Sequence, residues 1–188
     1  MASKDDVWQA LLSTGEQLAT EAEYEHGYQR EVRQDLARYV TFKLANEVYG
    51  LPIHEIVEIS KIFGTTPVPR TQEYLLGIGN VRGDVIPVLS LARRLSMPVG
   101  EETRQTRVLI VNHRGELYGL VVDEVLEVAS IPPEDLEEAP GGIGSTRAEF
   151  ILALGRRARQ LYIILDLSTV LDVRDFVILR HRPRRAAT

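Results

Sequence analysis

The 188-residue chain is 44% hydrophobic and 26% charged, a globular balance that excludes disorder as the default and allows one full-sized domain or two small ones sharing an interface. It contains no cysteine, which removes disulfides, thiolate metal sites and cysteine nucleophiles together. No apolar run approaches the roughly 20 residues needed to cross a bilayer. The stretch from Met1 to Ala10 is acidic and polar, unlike a secretory signal, so a cytoplasmic protein without direct membrane insertion is expected.

The net charge of -5 is unevenly spread: residues 1–38 carry eight acidic groups against four basic ones, whereas Arg180, Arg182, Arg184 and Arg185 crowd the other end. Neither end is the basic face across a folded body that nucleic acid requires. No nucleic-acid partner is expected, and the basic tail at 174–188 reads as a solvated end.

Taken in chain order, residues 1–38 form a helical extension. Val7, Leu11, Leu18 and Ala22 recur at helical spacing, joined by Trp8 and Leu12, with Gly15 and Gly27 as break points. Packing on its own domain and docking on a partner stand even for its apolar face. From Tyr39 the period changes to that of a strand: Val40, Phe42 and Leu44 alternate with Tyr39, Thr41 and Lys43. Asn46-Glu47 makes a turn before Val48–Leu51. Short β-type runs follow at Val85–Leu89, Val108–Val111, Leu117–Val122, Val125–Val128 and Leu161–Leu165, separated by Gly and Pro. Such spacing indicates a mostly β protein built as a sandwich or small barrels.

The strongest internal signal is a repeat. Tyr49-Gly-Leu-Pro-Ile-His-Glu-Ile-Val-Glu-Ile59 aligns with Tyr118-Gly-Leu-Val-Val-Asp-Glu-Val-Leu-Glu-Val128, with Tyr, Gly, Leu and both Glu identical. Val85–Leu91 aligns in the same order with Leu161–Leu167. Ser90 and Asp166 occupy equivalent places, and both are good N-caps for short helices at Leu91–Leu95 and Leu167–Leu171. Two copies of one small β-unit are therefore expected, packed against each other because each is too small to bury a large core alone.

No residue set assembles a catalytic or metal site. His26, His54, His113 and His181 fall one to a segment without ligand spacing. The carboxylate pairs Asp5/Asp6, Glu101/Glu102, Glu134/Asp135 and Glu137/Glu138 lie in polar stretches suited to a solvated surface. Gly77-Ile-Gly79-Asn-Val-Arg-Gly83 lacks the third glycine of a dinucleotide fingerprint, and a short strand follows rather than a helix. Gly141–Gly144 reads as a flexible loop. No enzymatic activity, cofactor or metal is expected. Two charged positions stand out: Glu58, a lone carboxylate among Ile56, Val57 and Ile59, and Arg82, in a Gly-flanked turn where a guanidinium can grip a partner's carboxylate. The plainer reading is that the two pair with each other or point into water.

Four segments, taken in order, resemble the CheW family of bacterial chemotaxis coupling proteins over Tyr39–Leu171: Phe42–Leu51, Ile56–Ile59, Gly77–Val88 and Tyr118–Val125. Asn80-Val-Arg-Gly83 followed by Val-Ile-Pro is the most specific. The resemblance implies a CheW-like domain at 39–173 with two five-stranded SH3-like barrels sharing an apolar seam. The first is expected at about 39–100 and the second at about 101–173. It implies an adaptor in a two-component system. That adaptor bridges the cytoplasmic tip of methyl-accepting chemoreceptors and the regulatory domain of a CheA-type histidine kinase, recruited from the cytoplasm to membrane-bound receptor arrays. The receptor-facing groove it implies includes Ile56, Glu58, Gly77, Arg82, Val108 and Gly119. Ser90 stands where the family usually has Asp, and no receiver domain follows Asp172. The alternatives are a scaffold for a different receptor–kinase array, its partner chosen by the N-terminal helix, and a small enzyme on paired barrels. A polar, enclosed pocket would favour the enzyme; a shallow apolar groove would favour the adaptor.

Overall fold

The structure, a computed structural model, describes residues 36–139, 148–157 and 159–172. The expected N-terminal helix as far as residue 35, the Gly141–Gly144 loop and the basic tail lie outside the described residues, and Ala37 and Arg38, expected at the end of that helix, belong instead to the first strand. The first copy of the repeat supplies β1 (Ala37–Leu44), β2 (Glu47–Pro52), β3 (Ile56–Lys61), β4 (Leu75–Val81) and β5 (Asp84–Ser90), then the short helix α1 (Leu91–Arg94). The second supplies β6 (Arg107–His113), β7 (Glu116–Val122), β8 (Glu124–Ile131), β9 (Leu136–Glu138), β10 (Ile151–Arg157) and β11 (Gln160–Leu165), then α2 (Leu167–Val170). Both helices are capped as their sequences predict: the Ser90 hydroxyl accepts from the Arg93 N–H and the Asp166 carboxylate from the Ser168 N–H.

Hydrogen bonding sorts the strands into two sheets, β8-β1-β2-β11-β10-β9 and β3-β6-β7-β5-β4. Substituting each strand of the second sheet by its repeat equivalent (β8 for β3, β1 for β6, β2 for β7, β11 for β5, β10 for β4) reproduces the first order, with β9 added at the edge. Even β9 has a counterpart: Glu137 pairs with Leu154 on β10, and an isolated bridge joins Thr66 to Ile78 at the equivalent place on β4.

The contiguous barrels expected at about 39–100 and 101–173 are corrected by this topology, because each sheet takes strands from both copies. After β2 the chain makes one 3-10 turn at Ile53–Glu55 and enters the other sheet as β3; after β7 it crosses back at Asp123 as β8. A repeat records which residues play equivalent roles. It does not record which copy supplies their neighbours, since strand pairing is fixed by contacts remote in sequence.

The exchange explains the packing. The largest apolar cluster lies between the sheets and draws on both: Phe42, Leu44 and Leu51 from one, Leu89, Leu109 and Leu120 from the other, with Leu91 and Leu167 of the two helices. Each sheet also curls around a smaller core of its own, Tyr39, Ile131 and Ile164 in the first and Ile86, Val88, Val108 and Ile110 in the second. Strand β1 is buried on both faces, and its one buried polar side chain is satisfied: Thr41 Oγ1 donates to the Glu127 carbonyl at 2.8 Å where β1 bulges against β8. Each fully buried Leu or Phe of the shared cluster stabilises the fold by about 1.5–3 kcal/mol, so neither sheet is complete without the other.

Candidate functional site

On β3 the sequence Ile56-Val-Glu-Ile-Ser-Lys61 alternates half-buried and exposed, with Ile56, Glu58 and Ser60 leaning inward and Val57, Ile59 and Lys61 facing solvent. Adjacent apolar residues on a strand must point to opposite faces, so one of each Ile–Val neighbour pair is necessarily outside. Arg82 and Gly83 form the two-residue turn between β4 and β5, closed by the Val81–Asp84 pairing. Both have positive φ, 54° and 98°, as such hairpins demand, and Asn80 Oδ1 accepts from the Gly83 N–H at 3.1 Å.

That turn aims the Arg82 guanidinium back at β3. Its Nη2 lies 2.9 Å from Glu58 Oε2, with Arg82 79% exposed and Glu58 30%. The plainer reading of these two residues, that they pair with each other, is what the structure shows. The pair also has a mechanical meaning. β3 is one edge strand of its sheet and β4 the other, so the ion pair ties the two edges together and closes the curl.

The remaining groove residues sit deeper. Glu58 pairs with Ile110, Ile110 with Gly119, Gly119 with Val88, and Val88 with Gly77, so Glu58, Gly119 and Gly77 lie in one row across all five strands. Val108 is on the same inner face and is 1% exposed. The glycines are there for space: a Cβ on Gly119 would stand 3.0 Å from Val108 and 3.3 Å from Val88, and one on Gly77 would collide with the Thr66 carbonyl. Of the six residues, then, Glu58 and Arg82 reach the surface, Ile56 is half-buried against the core between the sheets, and Gly77, Val108 and Gly119 lie beneath.

Exposed apolar side chains beside this pair were not singled out from the sequence. Val57, Ile59 and Val85 are exposed on the second sheet, and their repeat equivalents Leu126, Val128 and Leu161 are exposed on the first. Glu127 takes the place of Glu58, and Arg157 Nη1 donates to the Ser130 carbonyl at 2.5 Å, tying β10 to β8 as Arg82 ties β4–β5 to β3. Among the described residues Glu127 forms no ion pair. A shallow depression open to solvent lies against Leu126, Glu127, Arg157 and Gln160. The usable signal was the repeat itself: positions apolar in both copies yet out of phase with the buried face mark a surface kept apolar twice.

The polar chemistry elsewhere serves structure. Tyr49 and Tyr118 donate equivalent bonds to Glu47 and Glu116, at 2.6 and 2.9 Å. Burial, with the Glu116 bond adding to it, pushes the Tyr118 phenol up to about 12. Burial alone would raise the Asp166 carboxyl, but bonds from Ser168 and Thr169 outweigh it and hold the group below its usual range. Among the described residues no group of three His, Asp or Glu could hold a metal ion, and no helix is long and apolar enough to cross a membrane.

A family model, the CheW-like domain, matches residues 38–175. The chain belongs to the CheW-like family. It is 30% identical over 150 residues to the chemotaxis protein CheW of Helicobacter pylori, covering 80% of this chain and 90% of the relative. It is likewise 30% identical over 135 residues to CheW of Bacillus subtilis, covering 72% and 86%, and 31% identical over 116 residues to FrzA of Myxococcus xanthus, covering 62% and 72%. The crystal structure of the scaffolding protein TtCheW from Thermoanaerobacter tengcongensis superposes with a TM-score of 0.68 at 32% identity, covering 73% of this chain and 94% of that one. CheW-type proteins are non-enzymatic coupling scaffolds of chemotaxis with SH3-like barrels, and the sheets described above are those barrels.

Proposed function

We propose that the chain couples the cytoplasmic tip of methyl-accepting chemoreceptors to the regulatory domain of a CheA-type histidine kinase, acting in the cytoplasm at membrane-bound receptor arrays. The observation that carries this reading is the duplicated surface. A coupling protein needs two docking faces, and each barrel exposes apolar side chains on strands next to a carboxylate: Val57 and Ile59 flank Glu58 in β3, with Val85 exposed on β5, and Leu126 and Val128 flank Glu127 in β8, with Leu161 exposed on β11. Apolar area supplies affinity, and a few fixed charges supply register and selectivity.

In this reading Ile56, Glu58 and Arg82 meet the receptor tip, over a frame shaped by Gly77, Val108 and Gly119. The second strip meets the kinase regulatory domain. The functional domain begins with β1 at Ala37 and runs to about 173, with the residues before it as an extension and 174–188 as a tail. Isothermal titration of a soluble receptor-tip fragment and of the isolated regulatory domain into the protein tests the reading. Saturable binding of both supports it; binding of neither removes it. The scaffold of a different array is distinguished by pull-down against the receptors and kinases of the same genome.

A further inference from the structure

The two crossings between sheets are equivalent in the repeat but not in their electrostatics. At the second, Lys43 stands opposite Glu124 in the β1–β8 register, and its Nζ is 2.8 Å from Glu124 Oε2. Gln105 Nε2 donates to the other oxygen at 3.2 Å. The equivalent carboxylate at the first crossing is Glu55, in the 3-10 turn Ile53–Glu55. In the repeat the place of Lys43 is taken by Asn112, which follows Val111, the partner of Ile56. Asn112 is spent on its own turn, accepting from the Gly115 N–H at 3.0 Å. Glu55 Oε2 is buried and accepts no hydrogen bond.

The charged groups around it do not replace the lysine. In its own turn the neighbour is His54, whose charge favours the carboxylate, and across the gap is the Asp166 carboxylate at the start of α2, which opposes it. The β6–β7 hairpin brings His113, which feels the charges of Arg114, Asp166 and Glu116, and Tyr118, which feels those of Glu116 and Arg114. β1, also packed on the turn, brings Arg38 and Tyr39, the latter opposite Pro52. Burial is the largest influence on Glu55 and raises its carboxyl above the ordinary value, and Asp166 adds to the rise.

We infer that Glu55 is a proton-sensitive latch on the first crossing: protonated, it seats the 3-10 turn and the start of β3; ionised, it loosens both. The sign follows from the direction of the shift. A carboxyl raised in the folded state contributes stability fully present below its unfolded value near 4.5 and lost as pH rises through the folded value. Because Ile56 and Glu58 follow directly on the turn, the latch acts on the strand assigned to the receptor. That consequence rests on the proposed function, whereas the latch itself is testable on the free protein.

The test compares wild type, Glu55→Gln and Asn112→Lys by thermal midpoint between pH 5 and 8, with an amide NMR titration of Ile56, Val57 and Glu58. Glu55→Gln keeps the shape and removes the proton site. Relative to it, the wild-type midpoint is expected to fall as pH rises across the range. The β3 amides should titrate in wild type and lose that transition in the variant. Asn112→Lys, which supplies the missing cation, should flatten the wild-type pH dependence, and it carries the test if Glu55→Gln does not fold. Parallel midpoint curves for wild type and Glu55→Gln, or β3 transitions that persist in it, overturn the latch; so does an Asn112→Lys curve with unchanged slope. Loss of receptor binding with the latch intact would instead count against the proposed function.

Discussion

Reversing one charge of the Glu58–Arg82 pair separates the structural from the docking role of these residues. The pair lies 2.9 Å apart with Arg82 79% exposed, and exposed pairs contribute about 0–1 kcal/mol to stability. Arg82→Glu or Glu58→Lys should therefore lower the thermal midpoint by no more than about 2–4 °C. At a docking surface the same reversal sets like charges against each other and costs several kcal/mol of binding, and about 3 kcal/mol is already more than a hundredfold in Kd. The double reversal, Glu58→Lys with Arg82→Glu, restores an ion pair of opposite polarity. It should recover the midpoint but not the affinity, because a partner reads each charge where it stands. Calorimetric titration with the receptor tip, alongside thermal melts, measures both quantities. Wild-type affinity in the single variants, or affinity that returns together with the midpoint in the double variant, would show that the pair only closes the barrel.

Other outcomes follow from the packing. Gly79→Val should destabilise by about 1–3 kcal/mol, because a Cβ there collides with the Phe63 ring, whereas Gly64→Ala, with open space around it, should leave chemical denaturation unchanged. Arg94 bonds the Val170 and Thr169 carbonyls at 2.8 and 3.2 Å and lies over the Tyr74 and Phe150 rings. Arg94→Ala should cost on the order of 2 kcal/mol in urea unfolding, and Arg94→Lys should recover only part of it. Tyr118 is raised to about 12, so its stabilisation is complete below its unfolded value near 10 and is lost as pH rises through the folded value. Absorbance titration should show a late phenol that Tyr118→Phe removes, together with the corresponding alkaline loss of stability.

The sequence was legible wherever local pattern decides. Alternation marked β1, the capping residues Ser90 and Asp166 marked both short helices, and the Tyr-Gly-Leu repeat marked the pseudo-symmetry that the two sheet orders confirm. β4 and β10 were harder, because Gly77, Gly79 and Gly155 look like turn residues but are strand glycines kept small by side chains or backbone packed over them. Strand exchange was not legible at all, since nothing local to β3 says that it will pair with β6 rather than β2. At the site, Glu58 and Arg82 stood out by type and setting. Val108 and Gly119 look no different from core residues in sequence, and the structure places them on the inner face.

The central claim is that one copy of this chain holds two partners at once through equivalent surfaces on its two barrels. Sedimentation velocity with the receptor-tip fragment and the kinase regulatory domain, alone and together, tests it most directly when wild type is run beside Arg82→Glu and Leu126→Glu. The account predicts a ternary complex for wild type, loss of the receptor fragment alone with Arg82→Glu, and loss of the regulatory domain alone with Leu126→Glu. Competition between the two partners for wild type, or the loss of both with either variant, would contradict it.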